Sequence, residues 1–125
     1  MRIAFAILMA LHGLAHAPGF LNSWRLKEFP DVPYTTTLFR GGLEIGEGGR
    51  KSVGLLWLLT ALGFLVAAYG AFTAADWWWG VALGTSVVSL ILSAAELPAA
   101  RIGLPINAVI LVGLLLFKVI GPEAM

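Results

Sequence analysis

Residues 53–75 read VGLLWLLTALGFLVAAYGAFTAA, without one charged side chain. An α-helix rises about 1.5 Å per residue, so a segment of this length exceeds the roughly 20 residues needed to cross a hydrocarbon core. In lipid every backbone donor and acceptor must be paired within the segment, which rules out an open sheet edge and makes helix the forced choice. Alternating barrel-type patterning is also absent.

Working outward, residues 3–21, 77–95 and 102–120 have the same character, the last being charge-free as far as Phe117. The last three spans are joined by short links around Asp76 and from Glu96 to Arg101, so consecutive helices must be antiparallel neighbours. The predicted fold is therefore an all-α membrane protein, an antiparallel up-down-up-down bundle of four transmembrane helices. It forms a single domain over residues 1–125.

Composition agrees, with 59% of residues hydrophobic and a mean hydropathy of +0.90, well above an ordinary soluble domain. Eight basic and seven acidic residues leave a net charge of +1, which offers no basic field for nucleic acid. There is no cysteine, which excludes disulfides, thiolate metal sites and thiol nucleophiles. The first span could imitate a signal peptide, with Ala15-His16-Ala17 as a small-x-small cleavage site. Pro18 next to it argues against cleavage, so an uncleaved first helix is expected.

Residues 22–52 form the one substantial extramembrane segment, rich in Gly and mixed charge and too short for a domain of its own. Its start, with Trp24, Leu26 and Phe29 among Arg25, Lys27 and Glu28, could lie along the headgroups as an amphipathic turn or be an ordinary solvated loop. Gly46-Glu47-Gly48-Gly49-Arg50-Lys51-Ser52 resembles a phosphate-binding loop only superficially. Arg50 stands where that motif needs Gly, and no strand precedes it, so a flexible basic loop is the expectation.

Arg25, Lys27, Arg40, Arg50, Lys51 and Arg101 fall on one side of the predicted bundle, against Arg2 and Lys118 on the other. The excess of basic residues places loops 22–52 and 96–101 in the cytoplasm and both termini outside. Trp77, Trp78 and Trp79 would then join the aromatic belt at the outer interface. Gly80 and Gly84 form a small-xxx-small pair suited to close helix contact, with packing inside the bundle expected over contact between copies.

Polar groups inside a span are costly and therefore informative. His12 and His16, four residues apart, share one face of the first helix. Ser86, Ser89, Ser93 and Glu96 follow 3-4-3 spacing, a continuous stripe ending in a carboxylate. Asn107 and Lys118 share a face of the fourth span, although Lys118 can snorkel to the interface. At about 1.5 Å per residue, His16 and Asn107 each lie roughly 7 Å inside the loop-side boundary, which Glu96 marks, with Ser93 about a turn deeper. His12, His16, Ser93, Glu96 and Asn107 are thus expected to converge in a polar pocket opening toward the charged loop. The contrary reading is structural, since membrane serines commonly bond their own backbone and one partner satisfies a His.

Two His and a carboxylate could present His12, His16 and Glu96 to Zn or non-haem Fe(II), with Asn107 orienting a ligand or substrate. The zincin pattern is missing, because Gly13 follows His12. A bis-His haem within one chain is disfavoured, as both His lie on one helix and axial ligands must approach from opposite sides. A proton relay through the His pair, Glu96 and serines is chemically easier but lacks an outward branch beyond Asp76 and Lys118.

The strings His12-Gly-Leu-Ala-His16 with Pro18-Gly-Phe20, and Gly54-Leu-Leu-Trp57-Leu-Leu, resemble those of small four-helix bacterial integral membrane proteins. That resemblance implies the membrane topology and a bacterial cytoplasmic-membrane location, and no activity. Three functions remain open. The first is a binding or assembly module for a membrane partner or an apolar ligand, with the bilayer itself and possible further copies as partners. The second is a membrane metalloenzyme or redox protein, and the third a small proton-linked transporter.

Overall fold

The computed structural model describes residues 2–97 and 99–120. In chain order the elements are α1 (Arg2–Leu14), α2 (Ala17–Ser23), β1 (Thr37–Leu38), β2 (Leu43–Glu44), α3 (Gly46–Phe72), α4 (Trp78–Ala95) and α5 (Gly103–Ile120). Four helical stretches, Arg2–Ser23, Gly46–Phe72, Trp78–Ala95 and Gly103–Ile120, are long and apolar enough to cross a membrane.

The distribution of side chains is that of a molecule built for lipid. Ile3, Ile7, Leu11 and Leu14 are exposed along one stripe of α1, while Phe5, Met9 and His12 are buried on the other. Among the residues with almost no exposure are Ser86, Ser89, Ser93 and Asn107. Apolar outside and partly polar within is the arrangement expected when the surroundings are hydrocarbon and hydrogen bonds between helices hold them together.

The first span is broken rather than continuous. Pro18 has no N–H to offer the carbonyl of Leu14 four residues back, and its ring crowds that turn, so α1 stops at Leu14 and α2 restarts at Ala17 with Pro18 in its first turn. Both pieces pack on α3, which also packs on α4, and α4 packs on α5. The core is shared by all four spans: Phe64 and Ala67 of α3 belong to it, and Phe5 of α1, Trp78 of α4 and Phe117 of α5 meet with ring centroids 5.3 to 6.1 Å apart.

Several expectations need correction. The Gly-rich basic string at 46–52 is helix, not loop, and α3 therefore begins well before residue 53. Its buried residues Arg50, Gly54, Trp57, Ala61, Phe64, Ala68 and Ala71 recur at alternating steps of four and three, a continuous seam that carries Arg50 into the helix. Residues 24–36, for which an amphipathic turn and a solvated loop were both open, are irregular and need no correction. Of the three tryptophans only Trp77 is exposed. Trp78 turns into the core, and Trp79 donates its indole N–H to the Leu114 carbonyl at 2.7 Å. Gly80 and Gly84 make no close helix contact, and a Cβ at either would meet no atom within 4 Å.

The hairpin β1–β2 pairs Thr37 with Glu44 and Leu38 with Leu43. The Phe39 N–H donates to the Ala95 carbonyl at 2.8 Å, which fastens the hairpin to the end of α4. Its turn holds Phe39 and Arg40 at φ of 53° and 58°, positions that Asn and Gly usually fill, at a cost of about 1 kcal/mol or more for each. Glu44 accepts from the Gly46 N–H at 2.9 Å as α3 begins. A hydrogen bond with Thr36, and secondarily that backbone bond, holds the Glu44 carboxyl below its ordinary range.

Candidate functional site

The break in the first span explains His16. In an unbroken helix the His12 carbonyl would accept the backbone N–H of His16, but at the break that N–H turns to the Gly13 carbonyl at 3.0 Å. The freed His12 carbonyl is taken up by the His16 ring, whose Nδ1 lies 2.7 Å away. A carbonyl can only accept, so Nδ1 carries the proton and donates. In the neutral ring Nε2 is then an acceptor, and the Ser89 hydroxyl donates to it at 2.6 Å. The imidazole thus repairs the backbone at the kink and ties α1 to α4.

His12 makes the connection to α5. Its Nε2 is 2.9 Å from Asn107 Oδ1, and with the amide oxygen as acceptor the ring donates. The Asn107 amide nitrogen donates onward to Ser93 Oγ at 3.4 Å, closing a path from α1 through α5 to α4. Phe64 of α3 covers both rings, with centroids 4.9 Å from His12 and 5.3 Å from His16, and Trp57 lies 5.1 Å from His16. Interhelical hydrogen bonds of this kind are worth about 0.6 kcal/mol each in a membrane protein and at most about 1.7. Their larger effect is on register, since each fixes the rotation of two helices at once.

Glu96 is not part of this layer. It stands at the C-terminal end of α4 and accepts two hydrogen bonds from the Arg50 guanidinium, at 2.5 and 2.9 Å, and one from the Trp57 indole N–H at 3.4 Å. Arg50 also donates to the Thr37 carbonyl at 3.0 Å, joining the ion pair to the hairpin. The physical reason for the separation is the charge on Arg50: a carboxylate gains far more from a bidentate guanidinium than from two neutral imidazoles. The five residues expected in one pocket thus fall into two groups. His12, Asn107 and Ser93 are bonded together beside His16, and Glu96 belongs to an ion pair nearer the loop. Among the described residues, no three His, Asp or Glu side chains gather closely enough to hold a metal ion.

Comparison with models of known protein families, with curated proteins and with solved structures finds no match.

Arg50, Trp57 and Ser89 are the site residues that sequence reasoning left out. Ser89 lies on the serine stripe a turn from Ser93, and spacing alone does not say which serine meets His16. Arg50 and Trp57 share the buried seam of α3, and that seam was the available signal. Trp57 links the two polar groups, placing its ring beside His16 and its N–H on Glu96.

Above the ion pair a cleft of about 550 Å³ opens between the hairpin and the loop-side ends of the helices. Asn22, Ser23, Thr37, Leu38, Ala95 and Glu96 are among its walls, with Arg40, Arg101 and Asp31 as its exposed charges. The buried Nε of Arg50, which also lines it, has no hydrogen-bond partner among the described residues.

Proposed function

We propose that the chain is a multi-pass membrane protein acting as a binding or assembly module, receiving an apolar ligand or a membrane partner at the cleft on its charged end. One observation carries this reading: the interior His, Asn and Glu side chains are engaged within the protein, while the cleft is open. His16 is bonded to its own helix and Ser89, His12 to Asn107, and Glu96 to Arg50 and Trp57. A three-ligand metal site on His12, His16 and Glu96 would require Glu96 to abandon a buried guanidinium. A lined cleft of several hundred Å³ is the size of a small-molecule site and needs no such rearrangement.

The test is elemental analysis, an absorption spectrum and the intact mass of the protein released from a mild detergent. The expected result is no stoichiometric Zn, Fe or Cu, no haem band, and a bound apolar molecule or second copy. One equivalent of metal or haem per chain would overturn the reading in favour of a metalloenzyme.

In the same reading the four spans form an antiparallel up-down-up-down bundle in a bacterial cytoplasmic membrane, with residues 22–52 and 96–101 inside and both termini outside. The distribution of Lys and Arg supports this orientation. Because the chain has no cysteine, single-cysteine variants report it directly. In intact cells an impermeant maleimide should label Asp76→Cys and spare Lys27→Cys, and the reverse pattern would invert the topology.

A further inference from the structure

The cleft on the charged end is lined as a headgroup site would be. Arg50 within it is matched by Glu96, which leaves Arg40 and Arg101 against Asp31 as the charges at the opening. Neither Arg40 nor Arg101 is in a salt bridge among the described residues, so the opening carries a net positive charge.

Each of these arginines adjoins an exposed apolar side chain: Phe39, 58% exposed, precedes Arg40, and Ile102, 68% exposed, follows Arg101. Arg40 is held at the rim by the left-handed turn, which is itself bonded to the end of α4 through the Phe39 N–H. Arg101 stands two residues before α5 begins. Two guanidiniums at the rim of a cleft, each beside an apolar group, suit a phosphate that is attached to hydrocarbon. Basic pockets between transmembrane helices on the cytoplasmic side bind anionic headgroups in the same way, and planar forked donors match phosphate oxygens.

We propose that this cleft binds the phosphate of an anionic phospholipid headgroup, held by Arg40 and Arg101, with Phe39 and Ile102 against the start of the acyl chains. The proposal rests on the binding-module reading and names its ligand class. Asp31 opposes it by one charge and favours a headgroup presenting further donors, such as the glycerol hydroxyls of phosphatidylglycerol.

The experiment uses the full chain, delipidated in detergent. It is titrated separately with phosphatidylglycerol, phosphatidylcholine and inorganic phosphate, and bound molecules are counted by native mass spectrometry. About one phosphatidylglycerol per chain is expected, with phosphatidylcholine much weaker. Arg40→Gln/Arg101→Gln should weaken phosphatidylglycerol about thirtyfold, the worth of two surface charge attractions. Both residues are exposed, so helicity and thermal stability should stay unchanged in the double variant. Equal binding of the two lipids, or no change in the double variant, would overturn the proposal. Saturable inorganic phosphate binding without lipid preference would overturn the lipid assignment and leave a free-anion site. A second copy or other occupant in the cleft, with no lipid preference, would sink the headgroup assignment alone. Stoichiometric metal on the chain would sink the binding-module reading beneath it.

Discussion

Replacing Arg50 with alanine should lower the stability of the detergent-solubilised protein by about 3–5 kcal/mol, the usual cost of leaving one member of a buried ion pair without its partner. The side chains of Arg50 and Glu96 are only 4% and 15% exposed, so water reaches the pair only from the cleft and replaces the missing guanidinium poorly. After the substitution Glu96 keeps, among the described residues, only the Trp57 indole N–H, at 3.4 Å, and the hairpin loses its bond from Arg50 to the Thr37 carbonyl. Glu96→Gln should cost less, because the amide is neutral and still offers an oxygen to Arg50, although it strands a buried cation. The double variant Arg50→Ala/Glu96→Ala should be closer to the native protein than the sum of the two single alanine variants, since neither charge is then left alone. Unfolding in mixed micelles of increasing denaturing detergent, followed by helical circular dichroism, gives all four values. An Arg50→Ala protein within about 0.5 kcal/mol of native would show that the pair has no structural weight.

The second large effect is steric. Gly13 of α1 faces α3 so closely that a Cβ added there would lie 2.9 Å from the Phe64 Cβ and 3.0 Å from the Ala61 carbonyl oxygen. Neither atom is the end of a flexible chain, so the helices themselves must separate. Gly13→Ala should cost about 1–3 kcal/mol, the range for an overpacked core, and Gly13→Leu more. Separation at this point also pulls both imidazoles away from Phe64, which covers them from the α3 side. Gly84→Ala is the control: nothing lies within 4 Å of its Cβ position, so the change should not destabilise and should gain up to about 1 kcal/mol from helix propensity. If the two alanine variants unfold alike, the close approach of α1 and α3 is not what limits stability.

The four apolar helices were legible because their cause is composition. Sixteen or more residues without charge have few alternatives in water or lipid, and the reading needs no knowledge of neighbours. The start of α3 was not legible in the same way. Arg50 and Lys51 look like the edge of a loop when charge alone is read, and only the buried seam from Arg50 through Trp57 and Phe64 to Ala71 shows that the helix has already begun. Relative depth was open to reckoning, since rise per residue is constant. Rotation was not: Asn107 bonds His12, a turn from His16, and His16 turns to Ser89. Which faces meet depends on side-chain packing across three helices, to which hydropathy is blind. The place of Glu96 depended on a partner 46 residues earlier in the chain, and that partner had been read as loop.

The two histidines also differ in when they can be satisfied as the chain is synthesised. His16 donates to a carbonyl four residues behind it, so its inner bond is available as soon as the first span exists. Its outer bond to Ser89 waits for α4, and the His12 bond to Asn107 spans 95 residues and waits for the last helix. A ribosome delivering this chain into a bilayer therefore hands over a first span in which the His12 carbonyl freed at the break is already engaged from within. That span can sit alone in lipid while α3 and α4 arrive, and the polar layer closes only with the entry of α5.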